Sequence, residues 1–118
     1  MADTKIITAN ARFVKGSPRK LRWVADAVKN LTPLAAIARL KVMPQQAART
    51  LLPIFQQAVG NAQNNFKFSP EGLQIKSLQI GEGPRLKRRD AHAHGARYDS
   101  GMRHKKLAHI SLTLVYGA

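Results

Sequence analysis

Residues 73–116 read LQIKSLQIGEGPRLKRRDAHAHGARYDSGMRHKKLAHISLTLVY, and the two ends of this stretch are built unlike its middle. At the far end, Ile110, Leu112, Leu114 and Tyr116 alternate with His109, Ser111, Thr113 and Val115. That is the period of a strand with one face buried. At the near end, Leu73-Gln74-Ile75 alternates, and Lys76-Ser77 then shifts the phase before Leu78-Gln79-Ile80. A β-bulge absorbs such a shift. Between the two strands, residues 81–106 hold only Leu86, Tyr98 and Met102 as large apolar side chains. The simplest geometry is a long antiparallel hairpin whose base joins a sheet and whose arms project. Half of its 26 residues, at roughly 3.3 Å each, gives an arm of about 40 Å. The Gly81–Pro84 run is expected to break the first strand and redirect the chain. Gly95 and Gly101 supply turn positions with free backbone angles.

The arm is strongly basic. From Arg85 to Lys106, the bases Arg85, Lys87, Arg88, Arg89, Arg97, Arg103, Lys105 and Lys106 are opposed only by Asp90 and Asp99, a net charge of +6. With so little to bury, such an arm cannot recover its ordering entropy from its own contacts. In isolation it reads as a disordered charged loop, and it orders on an anionic partner. Arginine would pair with phosphate through its planar fork and lysine as a point charge. Tyr98 has the ring to stack on an unpaired base. His92, His94 and His104 read as neutral or weakly cationic groups facing the same anion. The His92-Ala93-His94 pair invites a metal, but zinc wants three or four ligands with outer support, and no acidic cluster or cysteine stands near. His109 reads as a strand residue with a hydrogen-bond partner.

The whole chain agrees with its arm. Its 118 residues carry 20 Lys and Arg against 6 Asp and Glu, a formal charge of +14. That length makes one domain with a modest core. Uncompensated charge of this size opposes compaction, and a polyanion relieves it. Nucleic acid is the first candidate and an anionic membrane surface the second. No apolar run approaches the roughly 18 residues of a membrane span. The longest useful stretch, Leu51–Phe55, is interrupted by Pro53. The start, MADTKIITANARF, lacks the apolar core of a signal peptide. The absence of cysteine excludes disulfides and thiolate chemistry and fits a cytoplasmic protein. No cofactor is implied. The acids Asp3, Asp26, Glu71, Glu82, Asp90 and Asp99 are scattered without a paired-carboxylate spacing. No phosphate loop, dinucleotide fingerprint or nucleophile elbow is present, so the chain reads as a non-enzyme.

Upstream of the hairpin the pattern is one strand and three helices. Residues 5–12, KIITANAR, read as a short strand with Ile6, Ile7 and Ala9 apolar. Ser17-Pro18 reads as a helix cap and first helical residue, followed by Leu21, Val24, Ala25 and Val28 at helical spacing, with an end near Asn30. Ser17, Arg19, Lys20 and Arg22 bring a helix start and three cations together, a possible phosphate grip or simply a capped helix with a solvated face. Thr32-Pro33 repeats the start signal for a helix bearing Leu34, Ile37, Ala38 and Lys41. A longer helix is expected from Pro44 to about Asn64, striped by Ala47, Ala48, Leu51, Leu52, Phe55, Ala58, Val59 and Ala62. Pro53 should kink it by deleting the bond to the Arg49 carbonyl. Ser69-Pro70-Glu71-Gly72 is a turn.

Four stretches in this order carry a resemblance: SPRKLRWVAD (17–26), AVGNAQNN (58–65), LQIKSLQIGEGPRLKRR (73–89) and HISLTL (109–114). Together they resemble the large-subunit ribosomal protein twenty-two family in its bacterial form, over about residues 8–116. The resemblance implies an α+β fold with three helices packed on a three-stranded antiparallel sheet and a long protruding β-hairpin. It implies a single domain over 1–118, with a globular part at about 5–82 and 107–118 and an extended hairpin at about 83–106. It further implies binding to large-subunit ribosomal RNA through the helix start and the arm, early assembly, neighbouring large-subunit proteins, and a cytoplasmic ribosomal location. No membrane and no homo-oligomer are expected. The hairpin would line the nascent-peptide exit tunnel, meeting transient nascent peptide, and macrolide sensitivity maps to its tip in the family. The tip falls on Ala91, His92, Ala93, His94, Gly95, Ala96 and Arg97, where the family is usually richer in Arg and Lys and carries a proline. The sequence also admits two other readings: a DNA architectural protein that inserts a β-arm into a minor groove, and a metal-dependent nuclease using His92 and His94.

Overall fold

The alternation that ends the chain decides the architecture. In the computed structural model, which describes residues 5–90 and 101–116, strand β3 (Gly101–Tyr116) lies at the centre of a three-stranded sheet of order β1-β3-β2. Strand β1 (Lys5–Lys15) and strand β2 (Leu73–Asp90) both pair antiparallel to it. Ala108, Ile110, Leu112 and Leu114 all point to one face and are buried. Against that face pack helices α1 (Pro18–Val28), α2 (Pro33–Val42) and α3 (Gln46–Asn65). The fold is therefore the expected α+β arrangement of three helices on a three-stranded antiparallel sheet.

Local chemistry explains the helix limits. Pro18 and Pro33 both occupy first helical positions. Thr32 Oγ1 accepts a bond from the Ala35 amide, whereas Ser17 contributes its carbonyl to the Leu21 amide and makes no side-chain cap. Helix α1 ends at Val28, with Lys29 as its cap, slightly before Asn30. The buried row of α2 is Pro33, Ala36 and Leu40, while Leu34 is exposed. Helix α3 starts two residues after Pro44 and runs unbroken to Asn65 with Pro53 inside. Pro53 sits on the exposed side, so the Arg49 carbonyl it frees faces water and the helix continues. Ile54, outside the expected stripe, is buried beside Phe55. The core contains no buried polar or charged residue among those described.

Strand β1 is longer than the expected 5–12 and carries an irregularity between Ala11 and Val14. The predicted bulge in β2 falls between Ile75 and Ser77. The Gly81–Pro84 run, expected to break the strand, does not: β2 continues through it with a second register shift between Glu82 and Arg85. Two features permit this. A Cβ on Gly83 would lie 2.9 Å from the Leu107 carbonyl oxygen, so only glycine allows this approach. Pro84 falls at the bulge of an edge strand, where a missing N–H costs no ladder bond.

Beyond the helices, β2 and β3 keep pairing as far as Asp90 and Gly101. The molecule measures 69 × 26 × 21 Å with a radius of gyration of 18.1 Å. A compact chain of this length would have a radius of about 13–14 Å. The difference is the arm, which stands away from the body. Among the described residues, no helix is long and apolar enough to cross a membrane.

Phe55 is fully buried, so Phe55→Ala should cost about 3–5 kcal/mol in urea unfolding. The arm buries nothing in that core. Replacing residues 88–103 with an Asn-Gly turn between the paired Lys87 and His104 should therefore preserve the cooperative transition followed by circular dichroism.

Candidate nucleic-acid interface

Because side chains alternate along a strand, the register that buries Ile110 also fixes the face of every cation further out. Arg85 lies opposite Lys106, Lys87 opposite His104, and Arg88 opposite Arg103. Arg85, Lys87, Arg89, His104 and Lys106 continue the core-side face of the sheet. Arg88, Arg103 and Lys105 occupy the opposite face, and Lys15 joins them because it pairs with Leu107. Both faces of the ribbon are thus basic. Like charges set directly across a strand pair are destabilising. The arrangement suits a ribbon enclosed by anion on both sides.

The Lys15–Lys105 pair is where this repulsion bears most on one side chain. The Lys15 ammonium sits close enough to hydrogen-bond a neutral Lys105 amine, and it repels Lys105 when both are charged. Lys15, with a smaller contribution from Arg88, holds the Lys105 amine below the ordinary lysine range. The folded state therefore sheds this proton before the unfolded chain does. The repulsion is fully present at neutral pH and is relieved as pH rises through the lowered value. A phosphate between the two amines would relieve it at neutral pH.

The helix-start cations do different work from one another. Arg22 directs Nε and Nη2 to the Ile80 carbonyl at 3.1 and 2.9 Å. Two of its five N–H groups thus tie α1 to edge strand β2. Arg19 lies over the Trp23 ring, 5.3 Å from its centroid, a cation–π distance. Lys20 lines a shallow slot with Trp23, Val24, Ala27 and Met43. Arg19 and Lys20 are carried by α1, whereas the arm cations are carried by β2 and β3. His92, His94, Arg97 and Tyr98, with the tip residues Ala91, Ala93, Gly95 and Ala96, lie outside the described residues.

Sequence reasoning missed Lys15, Arg12 and Phe13. Lys15 joins the arm only because β1 pairs with β3 rather than with β2, and no local pattern encodes that choice. The expectation for His109 holds: its Nδ1 accepts the Phe13 amide at 3.2 Å.

Fold and charge together define a class: a small basic α+β protein whose cationic β-ribbon runs out beyond its own core. The chain belongs to the family described as Ribosomal protein L22p/L17e, whose model matches residues 9–115. It is similar to the large ribosomal subunit protein uL22 of Mycoplasma mycoides subsp. mycoides, 36% identical over 106 residues that span 90% of this chain and 93% of the relative. The uL22 proteins of Petrotoga mobilis and Fusobacterium nucleatum subsp. nucleatum are 34% and 36% identical, covering 96% and 95% of this chain and 75% and 96% of their own lengths. The protein is a structural constituent of the large ribosomal subunit.

The Lys15–Lys105 contact can be tested by titrating the lysine side-chain nitrogens by NMR. Lys105 should titrate below ordinary lysines in the free protein. Lys15→Gln should move it back up, as should an added polyanion.

Proposed function

We propose that the chain binds large-subunit ribosomal RNA, supports early assembly of that subunit, and lines the nascent-peptide exit tunnel with its hairpin. The observation that carries this reading is the ribbon with cations opposed across both faces, Arg88 to Arg103 and Arg85 to Lys106. Like charges opposed in this way repel across the ribbon, and phosphate relieves that repulsion. Family membership supplies the particular polyanion and the neighbouring large-subunit proteins. Within this proposal, the globular part anchors the protein and the arm at about 83–106 threads between RNA segments. The RNA-facing groups of the arm are Arg85, Lys87, Arg88, Arg89, Arg103, His104, Lys105 and Lys106, with His92, His94, Arg97 and Tyr98 toward the tip. Ser17, Arg19, Lys20 and the remaining donors of Arg22 serve the body. Nascent peptide is the transient partner at the tip, and the cytoplasmic ribosome is the location.

Each phosphate neutralised releases condensed counterions. If all eight arm cations engage phosphate, the slope of log affinity against log salt should be roughly −6 to −7 for the ribosomal RNA complex. Filter binding across a salt series measures it, and a slope near −1 contradicts the reading. Co-sedimentation with large subunits through a high-salt wash is the expected companion result.

A further inference from the structure

The helix-free face of the sheet carries a second structure that phosphate binding alone does not explain. In β1, Arg12 and Phe13 together oppose the single residue His109 of β3, between the pairs Ala11–Ile110 and Val14–Ala108. That is a β-bulge, a device that re-aims side chains. Phe13 adopts φ 57°, in the left-handed region where a bulky residue is a genuine outlier. Strain of this kind persists only where its surroundings impose it, and it clusters at ligand clamps. Here the imposed result is an aromatic ring held 61% exposed.

The surroundings are built rather than open. The Phe13 amide donates to His109 Nδ1, which places the proton of the neutral imidazole on Nε2. The two rings meet edge to face with centroids 5.0 Å apart, so His109 braces Phe13. Beside them lies a groove of about 460 Å³ lined by Asn10, Arg12, Gln79, His109 and Ser111, among others. Asn10, Ser111 and Gln79 form one row across the three strands. This row offers donors and acceptors in the pattern that reads a base edge. Lys15, Lys105 and Arg88 continue the same face toward the arm. Lys105 lies four residues from His109, roughly 13 Å along the strand.

We propose that this face holds one unpaired RNA base, stacked on Phe13 and met at its edge by Asn10, Arg12, Gln79 and His109. The occupant follows from the charge. The face carries Arg12 and runs into the Lys15–Lys105–Arg88 cluster, so its partner is anionic, and the exposed ring and amide row add recognition of a nucleobase. Unpaired bases splayed onto aromatic side chains are the usual means of reading RNA. The inference rests on the RNA-binding reading above and gives it a site where bases, and not only phosphates, are recognised.

The test uses the full chain and a large-subunit ribosomal RNA transcript in filter binding across a salt series. Phe13→Gly removes the ring and relaxes the backbone, so the fold is retained, and Phe13→Trp restores a stacking face. Loss of one base–aromatic stack should weaken binding roughly 5- to 150-fold. The salt slope should stay at the wild-type value, and Phe13→Trp should bind as wild type does. Ultraviolet cross-linking of the wild-type complex should join the peptide bearing Phe13 to an unpaired nucleotide. Equal affinity for Phe13→Gly, a loss accompanied by a shallower salt slope, or no cross-link between the Phe13 peptide and an unpaired nucleotide overturns the site. Wild-type chain that fails to bind the transcript at all overturns the RNA-binding reading itself.

Discussion

One register governs the molecule. The alternation of Ala108, Ile110, Leu112 and Leu114 can bury only one face of β3, and a slip of one residue would turn the whole set to water. The helices supply the surface that makes this choice costly to reverse. Since β3 continues without interruption from Tyr116 to Gly101, the same choice assigns each cation of the arm to a face. The core therefore aims charges that lie well beyond it.

The arm and the core obey opposite balances. In the core, apolar burial offsets the entropy of ordering, and no polar or charged residue is buried among those described. Along the arm, Leu86 and Met102 are exposed, and bases oppose bases. Lys105, pushed below the ordinary lysine range by Lys15, registers the electrostatic cost of holding the arm together without an anion. A polyanion changes the sign of that cost. In the proposed function, the features that weaken the free arm are the ones that give it affinity for RNA, and this is the physical link between the fold and a place inside a ribonucleoprotein.

The arm is rooted by details that a pattern of charges does not reveal. Gly83 lets β2 pass within reach of the Leu107 carbonyl, and the bulge there accommodates Pro84 on an edge strand. Arg22 satisfies the Ile80 carbonyl on the same edge, so one helix-start cation stabilises the platform while Arg19 and Lys20 remain at the surface. On the other flank, the β1 bulge turns Phe13 outward against His109. Charge, aromatic ring and amide row thus share one sheet face.

Local spacing in the chain was enough to determine the elements. Period-two alternation marked β3, the Lys76-Ser77 phase shift marked a bulge, and Ser17-Pro18 and Thr32-Pro33 marked two helix starts. The excess of bases over apolar side chains in residues 81–106 marked an arm that projects beyond the core, and it motivates the proposal of an anionic partner. These are properties of neighbours along the chain, and neighbours are what a sequence displays. Only the tertiary structure decided that β3 is central, that Lys15 lies beside Lys105, that Arg22 bonds the Ile80 carbonyl, and that β2 continues through GEGP with a register shift. Each of those depends on which distant backbone lies alongside. That is settled by how one apolar sheet face and three apolar helix faces pack together, and no window of the sequence contains both sides of such a contact.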